Sequence, residues 1–433
     1  MKSILTFLLF LICILTASAQ SYTSYFTGNQ SDTITSPEGG VCLMGGATED
    51  DEAMKWFLRR ANGGDVLVLR TSGSDGYNNY MYAGLGVNVN SVETIVFSNG
   101  TASNESYVKQ KIAQAEAIWF AGGDQWNYVT YWRGTPVDSL INEGIQNRGL
   151  VVGGTSAGMA ILGGYYFTAQ NGTVSSANAL ANPYYNTVTV DSAAFIESDY
   201  LQDVITDTHY DDPDRRGRHV TFLSRIFEDY GVYGKGIACD EYTAVCIDTS
   251  GIAHVYGGFP TYDDNAYFIQ SNCELPDASP ENCSAGNPLD WNRGGAALKV
   301  YHIKGTSSGA KTFDLNDWET GQGGTWQHWS AQNGTFQESA GTLINCLPTT
   351  LSAGTNNEVE CYPNPFRRHL KIQSGIALLG VRVVDLTGKE WMKTELNSER
   401  SASLDLSELP VGMYFVVINS ETGIVWRSVL KAK

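Results

Sequence analysis

Leu150-Val151-Val152-Gly153-Gly154-Thr155-Ser156-Ala157-Gly158-Met159-Ala160-Ile161-Leu162 is the stretch that decides the fold. An apolar run enters a glycine-rich turn, and a second apolar run leaves it. That order predicts a strand, a sharp turn and a helix, with Ser156 at the turn. Small neighbours let the backbone bend tightly and let a carbonyl group approach. The start of the helix offers free backbone N–H groups to an anion. The pattern Gly-x-Ser-x-Gly fits a nucleophile, but a plain strand-to-helix turn or a phosphate-binding turn fits it too. The rest of the chain has to choose.

Working outward, short apolar runs alternate with amphipathic ones. Val41–Met44 reads as a strand ending in Gly45-Gly46. Thr48-Glu49-Asp50-Asp51 starts a helix, Met54, Phe57, Leu58 and Ala61 follow at helical spacing, and Gly63-Gly64 stops it. Val66–Leu69, Thr94–Phe97 and Ala117–Phe120 read as buried strands. Thr135-Pro136 opens a helix with Val137, Leu140, Ile141 and Ile145 on one face. The alternation predicts an α/β fold: a doubly wound, mainly parallel sheet with helices on both faces. Sites in such sheets sit at the carboxyl ends of strands. Gly122-Gly123, Ser156 and Glu241 fall at such ends, and one sheet is expected to carry them all. Neither glycine pair belongs to a Gly-x-Gly-x-x-Gly pattern, which argues against a dinucleotide fold.

Of 433 residues, 28 are Lys or Arg and 46 are Asp or Glu, a formal net charge of −18. From Asn357 onward there are ten basic and nine acidic side chains, so the excess acid lies in the body of the chain. An acidic body argues against nucleic acid or an anionic membrane as partner. Met1-Lys2-Ser3, the apolar run Ile4–Leu15 and Ala17-Ser18-Ala19 have the three parts of a secretory signal, expected over 1–19. The apolar run is about 12 residues, short for a membrane span. There is no Cys-x-x-Cys, and no metal or cofactor site is expected. Cys273 and Cys283 bracket a proline-containing loop and are the expected local disulfide. Beyond Gly257 the pattern loosens; 257–351 is expected to complete the body spanning 20–351 and to add β-rich decoration.

The C-terminus changes character. A polar linker at 352–356 leads to Cys361-Tyr362-Pro363-Asn364-Pro365-Phe366. Short strands follow at His369–Ile372, Gly380–Asp385, Ser403–Asp405, Gly412–Ile418 and Ile424–Leu430. That predicts a small all-β sandwich over 357–433.

Three further segments bear on Ser156. Ala121-Gly122-Gly123-Asp124-Gln125 ends a strand; Asp207-Thr208-His209 precedes a charged run; and Asp240-Glu241-Tyr242-Thr243-Ala244 follows another strand. In this order, with the Gly-Thr-Ser-Ala-Gly turn, they resemble the peptidase E/cyanophycinase family of serine peptidases, from about Gly45-Gly46 through the first 260 residues. The resemblance implies an exopeptidase acting on aspartyl-containing peptides, cyanophycin or Asp dipeptides, through an acyl-enzyme. It implies Ser156 as nucleophile, and Glu241 by motif position as the group that orients the base. Asp240 is the neighbouring competitor. His209 follows Ser156 in the chain and alone of six histidines sits in a motif, so it is the expected base.

The N–H groups of Ala157 and Gly123 are the expected oxyanion donors. Gln125, Asp207, Arg215 and Arg218 are expected to meet substrate, and Arg216 is weighed with the two arginines as a carboxylate grip. Thr208 stands where cyanophycinases carry Gln, and the Asp211–Asp214 run alters the spacing to the arginines, so cyanophycin specificity does not transfer unchecked. The tail, through Pro363-Asn364-Pro365, Asp385–Lys389 and Leu409–Tyr414, resembles the type A sorting domain of the type IX secretion system. That implies the secretion machinery as partner and a secreted or cell-surface protein that passes the periplasm. A homodimer is compatible with the sequence. The alternative from another class is a non-catalytic secreted binding protein on the same fold.

Overall fold

The computed structural model describes residues 20–192, 195–198, 200–345, 359–385, 389–420 and 423–432. The expected signal at 1–19 and the linker at 352–356 lie outside them, as does the turn segment 386–388. The chain divides into two compact units, Met1–Asn345 and Cys346–Lys433.

In the first unit, β1 is Tyr22–Gly28, β2 Val41–Met44, β3 Asp65–Arg70, β4 Ser91–Phe97, β5 Ala117–Phe120 and β6 Val151–Thr155. Strands β4, β3, β5, β6 and β2 lie side by side and parallel. Helices join them: α1 (Asp51–Arg60), α2 (Gly76–Asn79), α3 (Ser106–Gln114), α4 (Gln125–Trp132) and α5 (Pro136–Arg148). Local chemistry sets their limits. Asp50 caps α1 by accepting from Ala53 N–H, and Arg59 and Arg60 sit in its last turn. Thr135 and Pro136 start α5, and Gly149, with φ of 68°, ends it. The buried face of α1 sets Phe57 edge-on against Trp119 of β5, 5.2 Å between ring centres.

After β6 come α6 (Ala157–Ala160), a ribbon of β7 (Tyr166–Phe167) and β8 (Val190–Asp191), and α7 (Ser176–Ala181). Then follow β9 (Val204–Asp207), α8 (Arg216–Tyr230), β10 (Lys235–Cys239), β11 (Ala244–Ile247) and β12 (Ile252–Tyr256). The rest of the unit is β13 (Asn265–Ser271), β14 (Leu298–Lys304), β15 (Lys311–Asp314), β16 (Gly321–Gln322), β17 (Thr325–Gln332) and β18 (Thr335–Ala340). These strands divide between two sheets. The ten-stranded sheet runs β1-β4-β3-β5-β6-β2-β11-β12-β15-β16, and the six-stranded sheet runs β18-β17-β14-β13-β10-β9.

Two expectations are corrected here. The strands before His209 and Glu241 are β9 and β10 of the six-stranded sheet, whereas Ser156 follows β6 of the ten-stranded one, so the three residues do not share a sheet. Four strands of 257–351 build the six-stranded sheet, whose core sets Phe222, Leu223 and Ile226 of α8 against Ile269, Val300 and Trp329. The expected Cys273–Cys283 bond is also absent. Cys273 is disulfide-bonded, but Cys283 is a free thiol turned into the core, 3.4 Å from Ser224 Oγ of α8.

The second unit is all-β. β19 (Val359–Tyr362), β20 (His369–Asp385), β21 (Glu390–Asp405), β22 (Gly412–Ser420) and β23 (Gly423–Lys431) form one antiparallel sheet. The two short strands expected at His369–Ile372 and Gly380–Asp385 are parts of β20, separated by register shifts between Gln373 and Gly380. Leu370, Ile372, Val381, Val383, Leu404, Val416 and Ile418 form its core.

His219 on α8 is fully buried, with Nδ1 3.1 Å from Tyr210 Oη. Burial pushes its pKa down to about 4, against the pull of the Asp207 carboxylate. The unfolded imidazole titrates near 6.5. The stability His219 gives relative to a neutral isostere is therefore complete above that pH and lost as pH falls toward 4, by up to about 1.4 kcal/mol per pH unit. Thermal melts of the native chain and His219→Gln at pH 7.5 and 4.5 should show the native chain losing roughly 2–5 °C relative to the variant at the lower pH. An unchanged difference would contradict the neutral, buried state.

Candidate active site

Ser156 sits between β6 and α6 with φ of 52° and ψ of −117°. Such a backbone is costly for a side chain other than glycine and persists only where its surroundings enforce it. The enforcement is visible. Ser156 N–H donates to Met44 O at 3.1 Å, and a Cβ on Gly158 would strike the carbonyl of Phe120. α6 can therefore lie close against the end of β5 only with glycine there.

The imidazole of His209 lies between two partners. Its Nε2 is 2.8 Å from Ser156 Oγ, and its Nδ1 is 2.5 Å from Glu241 Oε1. With the Nδ1 proton on the Glu241 side, Nε2 is free to accept the serine proton. The geometry is that of a hydroxyl, a base and a carboxylate that fixes the base's tautomer.

The end of β2 holds this row together. Gly45 O accepts from His209 N–H at 2.8 Å, Gly46 O from Tyr242 N–H at 3.2 Å, and Gly45 N–H donates to Thr243 O at 2.9 Å. Gly46 has φ of 120°, and a Cβ there would stand 2.5 Å from Cε1 and Nε2 of His209. The imidazole thus packs on bare backbone. Sequence reasoning marked Gly45-Gly46 only as a strand end. A glycine pair closing a buried strand was the available signal, but its partners are remote in the chain.

Asp240 and Glu241 diverge at the turn after β10. Asp240 is buried, and its Oδ2 accepts from Asn265 Nδ2 at 2.7 Å. Asn265 Oδ1 is in turn 2.7 Å from His302 Nε2. Burial pushes the Asp240 pKa up to about 7, opposed by the Asn265 hydrogen bond and aided by Asp211. It is Glu241 that meets His209. Asp211, from the acidic run before the arginines, accepts the Glu241 N–H at 3.0 Å through Oδ1 and so steadies that turn.

An open cavity of about 500 Å³ lies before Ser156. Ala157, Gly123, Gln125, Asp207, Arg215 and Arg218 all contribute to its wall. Gln125 Nε2 reaches Phe167 O at 3.4 Å. Asp207 and Arg218 pair with each other: Arg218 Nε donates to Asp207 Oδ2 at 2.9 Å, and a second bond joins the other oxygen. Burial would raise the Asp207 pKa, yet the charge and hydrogen bonds of Arg218 outweigh it and hold the carboxyl below its usual range. Arg216 turns away to Asp214 and Glu338. Arg215 donates from Nη1 to Thr208 O at 3.0 Å, while its buried Nε has no partner among the described residues. Burial, then the charge of Arg218, lowers its pKa. Of the three arginines, Arg215 and Arg218 line the cavity, and Arg218 is committed to Asp207. Among the described residues no group of three or more His, Cys, Asp or Glu is placed to hold a metal ion.

Residues 70–252 match peptidase family S51. The chain carries a peptidase family S51 domain. Residues 360–431 match the secretion system C-terminal sorting domain, which directs a protein to the cell surface or beyond. Over 198 residues the chain is 25% identical to the cyanophycinase of Nostoc sp. (strain PCC 7120 / SAG 25.82 / UTEX 2576), covering 46% of this chain and 59% of that protein. It is 24% identical, with the same coverage, to the cyanophycinase of Trichormus variabilis (strain ATCC 29413 / PCC 7937). The match thus spans less than two thirds of the length of these curated relatives. Among solved structures, a peptidase from an acI-B1 Actinobacterium aligns with a TM-score of 0.40 at 14% identity, covering 64% of this chain and 98% of that one. A putative peptidase E protein from Listeria monocytogenes EGD-e aligns with a TM-score of 0.31 at 16% identity, covering 51% and 98%.

Three substitutions probe the S51 site. Gly46→Ala places a methyl group against the His209 ring and should lower kcat on the order of 10²-fold while the far-ultraviolet circular dichroism is kept, because a displaced base misses the hydroxyl. Glu241→Gln should lower kcat roughly 10⁴-fold, as a wrong-tautomer change does. Asp240→Asn, which keeps an acceptor for Asn265, should cost under about tenfold. The reverse ranking would transfer the orienting role to Asp240.

Proposed function

We propose that this chain is an exported serine exopeptidase of the cyanophycinase type, hydrolysing aspartyl-containing peptides through an acyl-enzyme. The reading rests on the unbroken row from Ser156 Oγ through the His209 ring to Glu241, at 2.8 and 2.5 Å. Ser156 Oγ attacks the scissile carbonyl as His209 Nε2 takes its proton. Glu241 stabilises the imidazolium that forms. The oxyanion turns toward the N–H groups of Ala157 and Gly123, which border the same cavity as Ser156. His209 returns the proton to the leaving amine, and water then releases the acyl group by the same route. Arg215, on the wall of that cavity, suits a carboxylate of an aspartyl substrate. Gln125 at the start of α4 supplies a neutral polar contact. Asp207 acts by neutralising Arg218 rather than by direct contact.

Ser156→Ala should lower kcat by roughly 10³-fold or more with the fold retained, since the oxyanion donors remain. Near-normal turnover by the folded variant would remove the assignment. Incubation with cyanophycin, β-aspartyl dipeptides and α-aspartyl dipeptides identifies the substrate class; failure to cleave any of them, with binding retained, would favour a non-catalytic binding protein.

The sorting tail should be dispensable for chemistry and needed for export by the type IX machinery. A chain ending at Ser352 is expected to keep its kcat when purified and to accumulate in the periplasm of its host. Normal release of the truncated chain would refute the sorting role, and loss of activity would make the tail part of the enzyme.

A further inference from the structure

We propose that Cys42 and Cys246 are joined by a disulfide in the exported protein, locking β2 to β11 beside the Ser156 site. The two residues oppose each other in the antiparallel β2–β11 pair, and their sulfurs lie 3.7 Å apart. Register favours the bond. Gly45 N–H donates to Thr243 O, so Gly45 and Thr243 form a hydrogen-bonded pair. Pairs alternate along an antiparallel ladder, which makes Cys42 and Cys246 a non-hydrogen-bonded pair. Such pairs bring Cα atoms to about 4.5 Å with the side chains turned close, inside the Cα range of about 4.4–6.8 Å that a disulfide spans. In the structure both are free thiols in contact, so the bond requires only that the two side chains turn toward each other. The third thiol of this region, Cys239, lies 3.8 Å from Leu43 O and is left out of the bond.

Both sulfurs are shut away from solvent, with 0% exposure at each residue. Burial, reinforced by Cys42 beside it, raises the Cys246 pKa well above the usual thiol value. The folded chain therefore offers no ready thiolate at Cys246, and the bond forms before the core closes. The oxidant is a disulfide, protein-borne or of low molecular weight, in the oxidising compartment that an exported chain crosses. Each cysteine gives up one proton and one electron. The S–S bond forms between them, and the oxidant's own S–S bond breaks to give two thiols. Once the core packs, the same burial shields the bond from reductants.

The bond would span 204 positions of sequence. It would restrict the unfolded chain strongly. It also has local consequences. β2 ends at Gly45-Gly46, on which His209 rests, and β11 begins three residues after Glu241. The bond fixes the register of β2, on whose end the His209 ring rests, against β11, the strand that follows the Glu241 turn. The proposal rests on the strand register and on export, and stands or falls independently of the peptidase reading.

The test uses the protein collected from the medium or surface of its host. It is denatured in N-ethylmaleimide without reductant, digested, and mapped by mass spectrometry. The expected result is a linked Cys42–Cys246 peptide pair that disappears on reduction, with neither cysteine alkylated beforehand. Alkylation of both in the exported protein, or a bond from either to another cysteine, overturns the proposal. A second measurement compares melting of the Cys42→Ala/Cys246→Ala variant with the native chain from each of two sources. The variant should melt roughly 5 °C or more below the exported native chain, and within about 2 °C of it when both are made in a reducing cytosol. Equal differences from the two sources would show that packing, not a cross-link, is responsible, and would also overturn it. If the variant does not fold, the peptide map alone decides.

Discussion

Four backbone hydrogen bonds converge on Met44, Gly45 and Gly46, and they tie together loops that belong to two different sheets. Ser156 hangs from the ten-stranded sheet, while His209 and Glu241 hang from the six-stranded one. A net hydrogen bond contributes about 1 kcal/mol to stability. Their greater effect is positional. A serine–histidine contact works over about 2.6–3.2 Å, so sheets free to slide by one ångström would separate the pair. The bonds at the end of β2 act on main-chain atoms of Ser156 and His209 themselves and of the two residues after Glu241, which leaves little lever arm for error. Glycine at 46 is what allows the imidazole to rest directly on that junction.

Charge in the cavity is sorted by environment rather than by residue type. Asp207, Asp240 and Asp211 lie within a few residues of His209 or Glu241, and each has a different environment. Asp207 is held ionised by Arg218, Asp240 is driven toward its neutral form by burial, and Asp211 faces solvent and holds a backbone N–H. A buried ion pair is weak evidence for stability, because desolvation offsets most of the attraction, but removing one partner is severe. The Asp207–Arg218 pair is better understood as a fixture. Arg218 also donates to Thr173 Oγ1 at 3.2 Å and lies over the Phe167 and Phe222 rings at 5.3 and 5.8 Å. It joins the end of β9 to the segment before α7 and cancels a charge that would otherwise compete with Arg215.

Much of this was legible in the sequence because it is local. Periodicity found β2, β3, β5 and α1 almost to the residue, and the glycine-rich turn located Ser156 by the steric demands of a tight bend. What escaped is non-local. Nothing in Gly236–Cys239 says which sheet it joins, since a buried strand reads the same in either. The strands after Gly257 are rich in Trp, Tyr, Asn and Gln and lack a clean alternation, because both faces of the six-stranded sheet meet aromatic neighbours. Asp211 looked like one of the three carboxylates in Asp211–Asp214. Its hydrogen bond to Glu241 N–H joins residues 30 positions apart and has no sequence signature. The cysteines misled for the same reason: proximity in sequence suggested Cys273 with Cys283, while Cys42 and Cys246, 204 positions apart, are the pair that the register brings face to face.

The S51 match ends at residue 252, yet the site does not depend on those residues alone. β10 delivers Asp240 and Glu241, and its neighbours are β9 on one side and β13 on the other. Without β13, β10 would be an edge strand with unpaired backbone groups. Asp240 N–H would lose Asn265 O at 2.9 Å, and its carboxylate would lose Asn265 Nδ2. A buried carboxyl stripped of the Asn265 donor would be costly to keep in place. The turn that aims Glu241 at His209 would then be free to open. β13 is itself backed by β14 and β17, with Tyr267 stacked on His302 at 4.9 Å and set against Trp329 at 5.6 Å. The stretch of chain that looked least organised therefore does mechanical work for the site, by making the strand before Glu241 an interior one.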